Sequence, residues 1–237
     1  MRPKLKRPIL TYVLAAANAL CVILLCLYAA VHIPTFNLAF YNWQYSVNDT
    51  YNVVAMEEEE LMRVTRHMLD YMRGRTPELQ VYALVGGQMR PFFSEREVLH
   101  MVDVYELFVL GDLLRNIAVA WFVATLVLLV FMRVPVIPTL AKAYRWVIGT
   151  LIALTAALTA LIAFDFDHSW RVFHEIFFDN DLWLLDPAVE LLINIVPLPF
   201  FLTLSIFVGV IFLVMLAALF VAAHIVCKGE HRERLKL

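Results

Sequence analysis

Four long apolar stretches without Asp, Glu, Lys or Arg constrain this chain more than any other feature. A helix crosses a bilayer core with about 20 residues, at a rise of roughly 1.5 Å each. Residues 9–33, 116–132, 146–164 and 191–227 approach or exceed that length. The chain is also 62% hydrophobic and 17% charged, with mean hydropathy +0.75, whereas soluble domains are about 45–50% apolar and about 25% charged. These features exclude a soluble, disordered or collagen-like protein and indicate an integral membrane protein.

The predicted spans are about 9–31, 113–132, 146–164 and 200–226. The last apolar stretch is too long for one span, and Pro197 and Pro199 interrupt it, so we expect its helix to begin after them. The first stretch is longer than the apolar core of a signal peptide, which has about 7–15 residues. We therefore expect an α-helical protein with four transmembrane helices, in which residues 1–237 form a single integral membrane domain.

The basic residues predict the orientation of the spans, because cytoplasmic flanks carry an excess of Lys and Arg. Eleven of the 19 basic residues, including every lysine, fall at the two termini and in the loop between spans two and three. Both termini are therefore predicted to be cytoplasmic. Residues 32–112 and 165–199 would then lie outside, as a mainly helical extracytoplasmic subdomain. Because Cys21, Cys26 and Cys227 fall within or at the end of spans, no outer thiol is available as a nucleophile.

The first outer segment contains several local signals. The spacing of its apolar residues predicts an amphipathic helix over residues 54–73, and the Gly86-Gly87 pair predicts a short hairpin between residues 79–85 and 88–93. Ser94-Glu95-Arg96-Glu97 is a capping box, which predicts the start of another helix and gives Glu97 a structural role. On that helix His100 and Asp103, three positions apart, share one face.

The second outer segment is too polar to span the membrane and is rich in aromatic residues. These rings predict an interfacial or shallow re-entrant element at the headgroup level. Phe178 and Trp183 are among the rings that would also line a groove for acyl chains. The segment carries two histidines, His168 and His174, with Arg171, Glu175 and Asn180 close by in sequence.

Imidazole is the natural group for proton transfer at neutral pH, because it titrates near pH 6.5. Among the outer histidines, His100, His168 and His174 are the candidates, and periodicity alone does not choose between them. A zinc site competes for these residues. However, no H-E-x-x-H motif occurs, and positions 168 and 174 project from different sides of a helix. No outer serine lies in a G-x-S-x-G turn, and no P-loop is present.

Three stretches resemble a known family: MEEEELMRVTRHMLDYM, FFSEREVLHMVDVYELF and FHEIFFDNDLWLLDPAVELLINIVPLPFF. Together with the four-span layout, they are similar to the lipoprotein intramolecular transacylases of low-GC Gram-positive bacteria. Carried over by motif, the family's two catalytic histidines correspond to His100 and His174. Asp179-Asn180-Asp181 stands where the family commonly has a Pro/Gly-type turn, and Tyr105 replaces a common lysine.

The resemblance implies a transfer within one substrate. The sn-2 acyl group of an S-diacylglyceryl-cysteine moves to the α-amine of the same cysteine, giving the lyso-form N-acyl-S-monoacylglyceryl lipoprotein. It further implies a multi-pass protein of the bacterial plasma membrane whose site faces outward. The partners would be a diacylglyceryl lipoprotein with a free N-terminal amine and membrane lipid, with no cofactor, metal or nucleic acid.

The chemistry of that reaction suggests supporting roles for residues near the two histidines. Asp103 or Glu175 would orient an imidazole and stabilise its charged form, as carboxylates do in other acid-base sites. Arg171 or Asn180 would stabilise the oxyanion. Two other classes of protein remain open at this point: a membrane-embedded metal-dependent lipid hydrolase, and a non-enzymatic membrane accessory or sensor protein.

Overall fold

The computed structural model describes residues 7–234. Arg2, Lys4, Lys6 and Lys236, which support the predicted orientation, lie outside the described residues, so the side on which the termini lie remains a prediction. The elements, in chain order, are α1 (Arg7–Thr35), α2 (Leu38–Val47), α3 (Thr50–Val53), α4 (Glu58–Met72), β1 (Tyr82–Val85), β2 (Gln88–Pro91), α5 (Glu95–Phe131), α6 (Val136–Phe164), α7 (Phe166–Phe177), α8 (Leu192–Ile195) and α9 (Leu198–Arg234).

Four of these helices are long and apolar enough to cross a membrane: α1, α5, α6 and α9. The predicted α-helical membrane protein with four spans is therefore confirmed. α6 begins at Val136, ten residues before the predicted span. Lys142 and Arg145 therefore lie within the helix rather than before it. α9 begins at Leu198 and includes Pro199 in its first turn, where the missing N–H has no helical partner to lose.

α5 is much longer than a bilayer requires. Its 37 residues extend about 55 Å, against a hydrocarbon core of about 30 Å. Six charged residues occupy its first 18 positions: Glu95, Arg96, Glu97, Asp103, Glu106 and Asp112. We therefore take residues 113–131 as the membrane-spanning part of α5, and residues 95–112 as the part outside it.

The chain divides into two compact units, and the single integral membrane domain over residues 1–237 stays a prediction. The span unit combines the chain up to Val31, Leu113–Leu161, and the chain from Val208. A buried polar cluster joins three of its helices. The side-chain amide of Asn18, on α1, donates to Thr125 Oγ1 of α5 at 2.5 Å, and the Tyr144 hydroxyl of α6 donates to Asn18 Oδ1 at 2.5 Å. Such bonds support helix association where apolar contacts alone give little specificity.

The site unit consists of His32–Asp112 and Ile162–Phe207. Its core is formed by the apolar face of α4, the inner face of the hairpin and α8. Gly86 and Gly87 have φ values of 57° and 78°, as the predicted tight turn between β1 and β2 requires. α4 begins at Glu58 rather than at residue 54, because Ala55 adopts φ 52° and its carbonyl accepts a hydrogen bond from Gly86 N at 3.0 Å.

Candidate active site

The capping box fixes the start of α5 and with it the position of His100. The Ser94 N–H donates to Glu97 Oε2 at 2.5 Å, and the Glu97 N–H donates to Ser94 Oγ at 3.2 Å. Glu97 is fully buried, and its Oε1 also accepts a hydrogen bond from the Leu192 N–H. One carboxylate thus holds both the first turn of α5 and the start of α8. His100 follows one turn later and is 8% exposed.

His174 lies on α7, an amphipathic helix that forms where an interfacial or re-entrant element was expected. It is the one buried residue of this helix, at 5% exposure. Its Nδ1 lies 2.7 Å from the carbonyl oxygen of Trp170, one turn earlier. A carbonyl oxygen only accepts, so Nδ1 carries the proton in this contact. In the neutral ring, Nε2 is therefore the nitrogen with the available lone pair.

The two imidazoles meet within an aromatic enclosure. The ring centroids of His100 and His174 are 6.1 Å apart, and the Phe178 ring lies 5.4 Å from the first and 5.5 Å from the second. The Trp183 indole stacks on His174 at 4.7 Å, and Trp170 contacts it edge-on at 4.5 Å. Nδ1 of His100 is buried without a hydrogen-bond partner. The enclosure therefore presents an unused imidazole nitrogen on each histidine.

Burial keeps both rings neutral at physiological pH. The pKa of His100 is lowered to about 4: desolvation by burial is the largest cause, His174 and Arg96 also lower it, and Asp103 partly offsets them. Desolvation also lowers the pKa of His174, while the hydrogen bond to the Trp170 carbonyl raises it. An unperturbed histidine titrates near pH 6.5. Above that pH both rings are therefore unprotonated, each with a nitrogen lone pair, because burial disfavours the imidazolium form.

The predicted supporting residues have different surroundings. Asp103 and Asn180 contact each other, with the amide of Asn180 donating to Asp103 Oδ2 at 2.9 Å. Arg171 is exposed and pairs with Asp167 at 2.7 Å, on the solvent side of α7. Glu175 is exposed directly after the buried His174, so the helix turns its side chain away from the enclosure. The structure therefore places Phe178 and Trp183 against the histidines, pairs Asp103 with the exposed Asn180, and leaves Arg171 and Glu175 at the surface.

Sequence reasoning missed two residues of this site. Trp170 is one of the aromatic residues predicted to lie at the headgroup level and to line a groove for acyl chains; in the structure its carbonyl selects the tautomer of His174 and its ring packs on that imidazole. Arg96 was regarded only as part of the capping box, yet its guanidinium binds Asp181, both at the backbone carbonyl and at the carboxylate. The four-residue spacing of Trp170 and His174 was a usable signal, because such residues are neighbours on a helix.

Among residues 7–234, no group of three or more His, Cys, Asp or Glu side chains is arranged to hold a metal ion. The structure pairs His100 with His174 instead of either with His168, which is exposed and lies at the N-terminal end of α7. The predicted absence of a metal or cofactor remains a prediction.

The fold and the site together define a multi-pass membrane protein with a buried pair of histidines in an aromatic enclosure. A family model described as lipoprotein intramolecular transacylase Lit matches residues 16–201. The chain belongs to this family, so it is an acyltransferase that acts on lipoproteins. The predicted family and the predicted class of enzyme are thus confirmed.

Solved structures share the fold. The membrane integral lipoprotein intramolecular transacylase Lit from Bacillus cereus is similar with a TM-score of 0.75 and 16% identity, over 94% of this chain and 98% of that chain. A histidine-to-alanine variant of that protein gives a TM-score of 0.70 at 16% identity, over 94% and 96% of the two chains. A histidine-to-arginine variant gives a TM-score of 0.66 at 18% identity, over 95% of this chain and 93% of that chain. No curated protein matches the chain.

Proposed function

We propose that this chain transfers the sn-2 acyl group of an S-diacylglyceryl-cysteine to the α-amine of the same cysteine, with His100 and His174 as the proton-transfer pair. One observation carries the proposal: two imidazoles from distant segments are both buried in one enclosure, 6.1 Å apart. An ester and the amine that attacks it need proton transfer at both ends, and this separation suits one imidazole at each end.

The enclosure would supply orientation. Attack of the amine on the ester closes an eight-membered ring through nitrogen, Cα, Cβ, sulfur, two glycerol carbons, the ester oxygen and the carbonyl carbon. Such a ring closes poorly unaided, and holding the reacting groups together is worth up to roughly 10 kcal/mol. Phe178 and Trp183 offer flat apolar surfaces beside the two imidazoles, on which the lipid head would be held in its folded form.

The proton balance fits a pair that starts neutral. The α-amine, with a pKa of about 7.7–8.0, arrives mainly as an ammonium. One imidazole accepts a proton from it, which leaves a nucleophilic amine and an imidazolium. As the C–N bond forms, the second imidazole takes the remaining excess proton from nitrogen. The imidazolium then protonates the departing sn-2 oxygen as the C–O bond breaks, and one proton leaves to water.

The surroundings favour His174 as the ring that receives the first proton. Its Nδ1–H donates to a carbonyl oxygen, and it lies in the last turn of α7, where the helix dipole stabilises a cation. Arg96, four residues before His100 on the same helix, lowers the pKa of His100, so His100 would hold the second proton only until that proton passes to water. His174 would therefore act as the acid toward the leaving oxygen, and His100 as the base toward nitrogen.

The location follows from the same proposal. The site unit contains both predicted outer segments, and the positive-inside rule supports their placement on the outer face of the bacterial plasma membrane. A lipoprotein anchored by its diacylglyceryl group in the outer leaflet would present its N-terminal cysteine at this level. The substrate's lipid chains would remain in the membrane while its head reacts.

The test is to express the chain in cells that accumulate diacylglyceryl lipoproteins and to read the N-terminal lipopeptide by tandem mass spectrometry. We expect one acyl chain to move to nitrogen with no change in total mass. His100→Ala and His174→Ala should insert normally and abolish the transfer, while His168→Ala, at an exposed histidine of α7, is the matched control. Full activity in either of the first two variants would disprove the site. Loss of acyl mass to water would instead show a hydrolase, and chelator sensitivity would point to a metal enzyme.

A further inference from the structure

The loop after α7 is fastened to α5 at two points that flank His100. We define the strap as residues Asn180–Trp183. Asp103, three residues after His100, accepts a hydrogen bond from the Asn180 amide at 2.9 Å. Arg96, four residues before His100, binds the carbonyl of Asp181 and approaches its carboxylate at 3.4 Å. Both residues share the helix face of His100, so the strap crosses that face directly.

The strap is also built to hold its own last residue. Asn180 Oδ1 accepts a hydrogen bond from Leu182 N at 3.0 Å, and the carbonyl of Asn180 accepts one from Trp183 Nε1 at 3.0 Å. Asn180 therefore binds α5 with its amide nitrogen and fixes the loop with its two oxygens. The indole held in this way is the ring that stacks on His174 at 4.7 Å and 27°.

We propose, on the basis of the proposed function, that Asp103 and Asn180 are positioning residues that act through Trp183 on His174. In this arrangement Asp103 serves as a hydrogen-bond acceptor for the strap, and its charge is not what the reaction uses. Asn180 serves as the donor to Asp103 and is not a donor to the oxyanion. These positioning roles differ from the direct roles that residue type suggests, which are orientation of an imidazole by Asp103 and stabilisation of the oxyanion by Asn180.

Exchange of the two functional groups tests this proposal. Asn180→Asp places two carboxylates where the hydrogen bond was, so the strap should detach and kcat should fall by about tenfold to a hundredfold, since small misplacements of reacting groups have effects of that size. Asp103→Asn still accepts the bond through its amide oxygen, and should lower kcat by less than about threefold. The double variant restores the bond with its direction reversed, because the amide at position 103 then donates, and should recover most of the lost kcat.

Each alternative predicts a different pattern with the detergent-purified full chain and a synthetic diacylglyceryl lipopeptide. If Asp103 acts through its charge on an imidazole, Asp103→Asn loses activity, which overturns the proposal. If Asn180 binds the oxyanion directly, the double variant stays inactive, which also overturns it. A rise in KM without a fall in kcat would assign the strap to substrate binding and would refute the positioning role.

Trp183 variants provide an independent check if Asn180→Asp proves poorly folded. Trp183→Ala should reduce kcat to a similar extent, and Trp183→Phe, which keeps an aromatic ring against His174, should recover most of it. Adding Asn180→Asp to Trp183→Ala should cause little further loss, because both act through one contact. Additive losses would contradict the proposal. If His100→Ala and His174→Ala lose activity but the double variant of Asp103 and Asn180 does not recover it, only the positioning role of the strap is refuted. If the two histidine variants remain active, the proposed function itself is refuted.

Discussion

The Phe178 ring contacts both imidazoles, so its truncation tests the reasoning about their protonation. The ring is 7% exposed and contacts His100 and His174 at 5.4 and 5.5 Å. Desolvation is the main cause of the lowered pKa of each histidine. We expect Phe178→Ala to admit water and to raise both pKa values toward 6.5, the ordinary value for histidine.

The size of the effect follows from the pKa of His100. At pH 5.5 a group with a pKa of about 4 is about 97% neutral, whereas one at 6.5 is about 9% neutral. Since the mechanism begins from neutral imidazoles, activity is present above the pKa and lost below it. As far as the titration of His100 alone decides it, the ratio of kcat at pH 5.5 to kcat at pH 8 should be close to one for the natural chain. The same ratio should fall by roughly tenfold in Phe178→Ala if the pKa of His100 rises fully to its ordinary value of about 6.5.

The assay is the rate of acyl transfer at saturating substrate across this pH range, because kcat reports groups in the enzyme–substrate complex. Phe178→Leu keeps an apolar cover and should give an intermediate ratio. Phe166→Ala is the matched control, since that ring stacks on Trp170 at 5.8 Å, and it should leave the ratio as in the natural chain. A natural chain whose activity disappears near pH 6.5, or a Phe178→Ala variant with an unchanged ratio, would refute the reasoning.

Two further predictions concern stability in detergent. Gly74→Ala should lower the free energy of unfolding by about 1 kcal/mol, because Gly74 has φ +67° and an added Cβ would lie 3.3 Å from Tyr105 Oη. Adding Tyr105→Phe relieves only the contact with the hydroxyl. Full recovery of stability in that double variant would therefore contradict the backbone argument. Asn18→Leu should cost about 1–2 kcal/mol by removing bonds to Thr125 and Tyr144; combined with Tyr144→Phe, the loss should be less than additive.

Local sequence rules predicted those parts of the site that depend on neighbours in the chain. The capping box placed the start of α5 within one residue, because its two bonds join Ser94 and Glu97 across a single turn. The Gly86-Gly87 pair placed the hairpin turn, because the turn needs positive φ values that glycine adopts readily. Periodicity did not select His100 and His174 from the other outer histidines; the family resemblance did. Their approach to 6.1 Å depends on tertiary packing, which no spacing rule in one sequence contains.

The strap shows that residue type alone does not identify the hydrogen-bond partner of a polar group. Asp103 and Asn180 each have chemistry suited to a direct role beside a histidine, yet in the fold each is the nearest partner of the other. A polar group gains more from a hydrogen bond than from a position beside an apolar ring, and the exposed Asn180 and the half-buried Asp103 form such a bond. The enclosure around His174 is mostly aromatic, so polar residues near it pair at its margin. Their contribution to catalysis would then pass through the aromatic side chain that they hold in place.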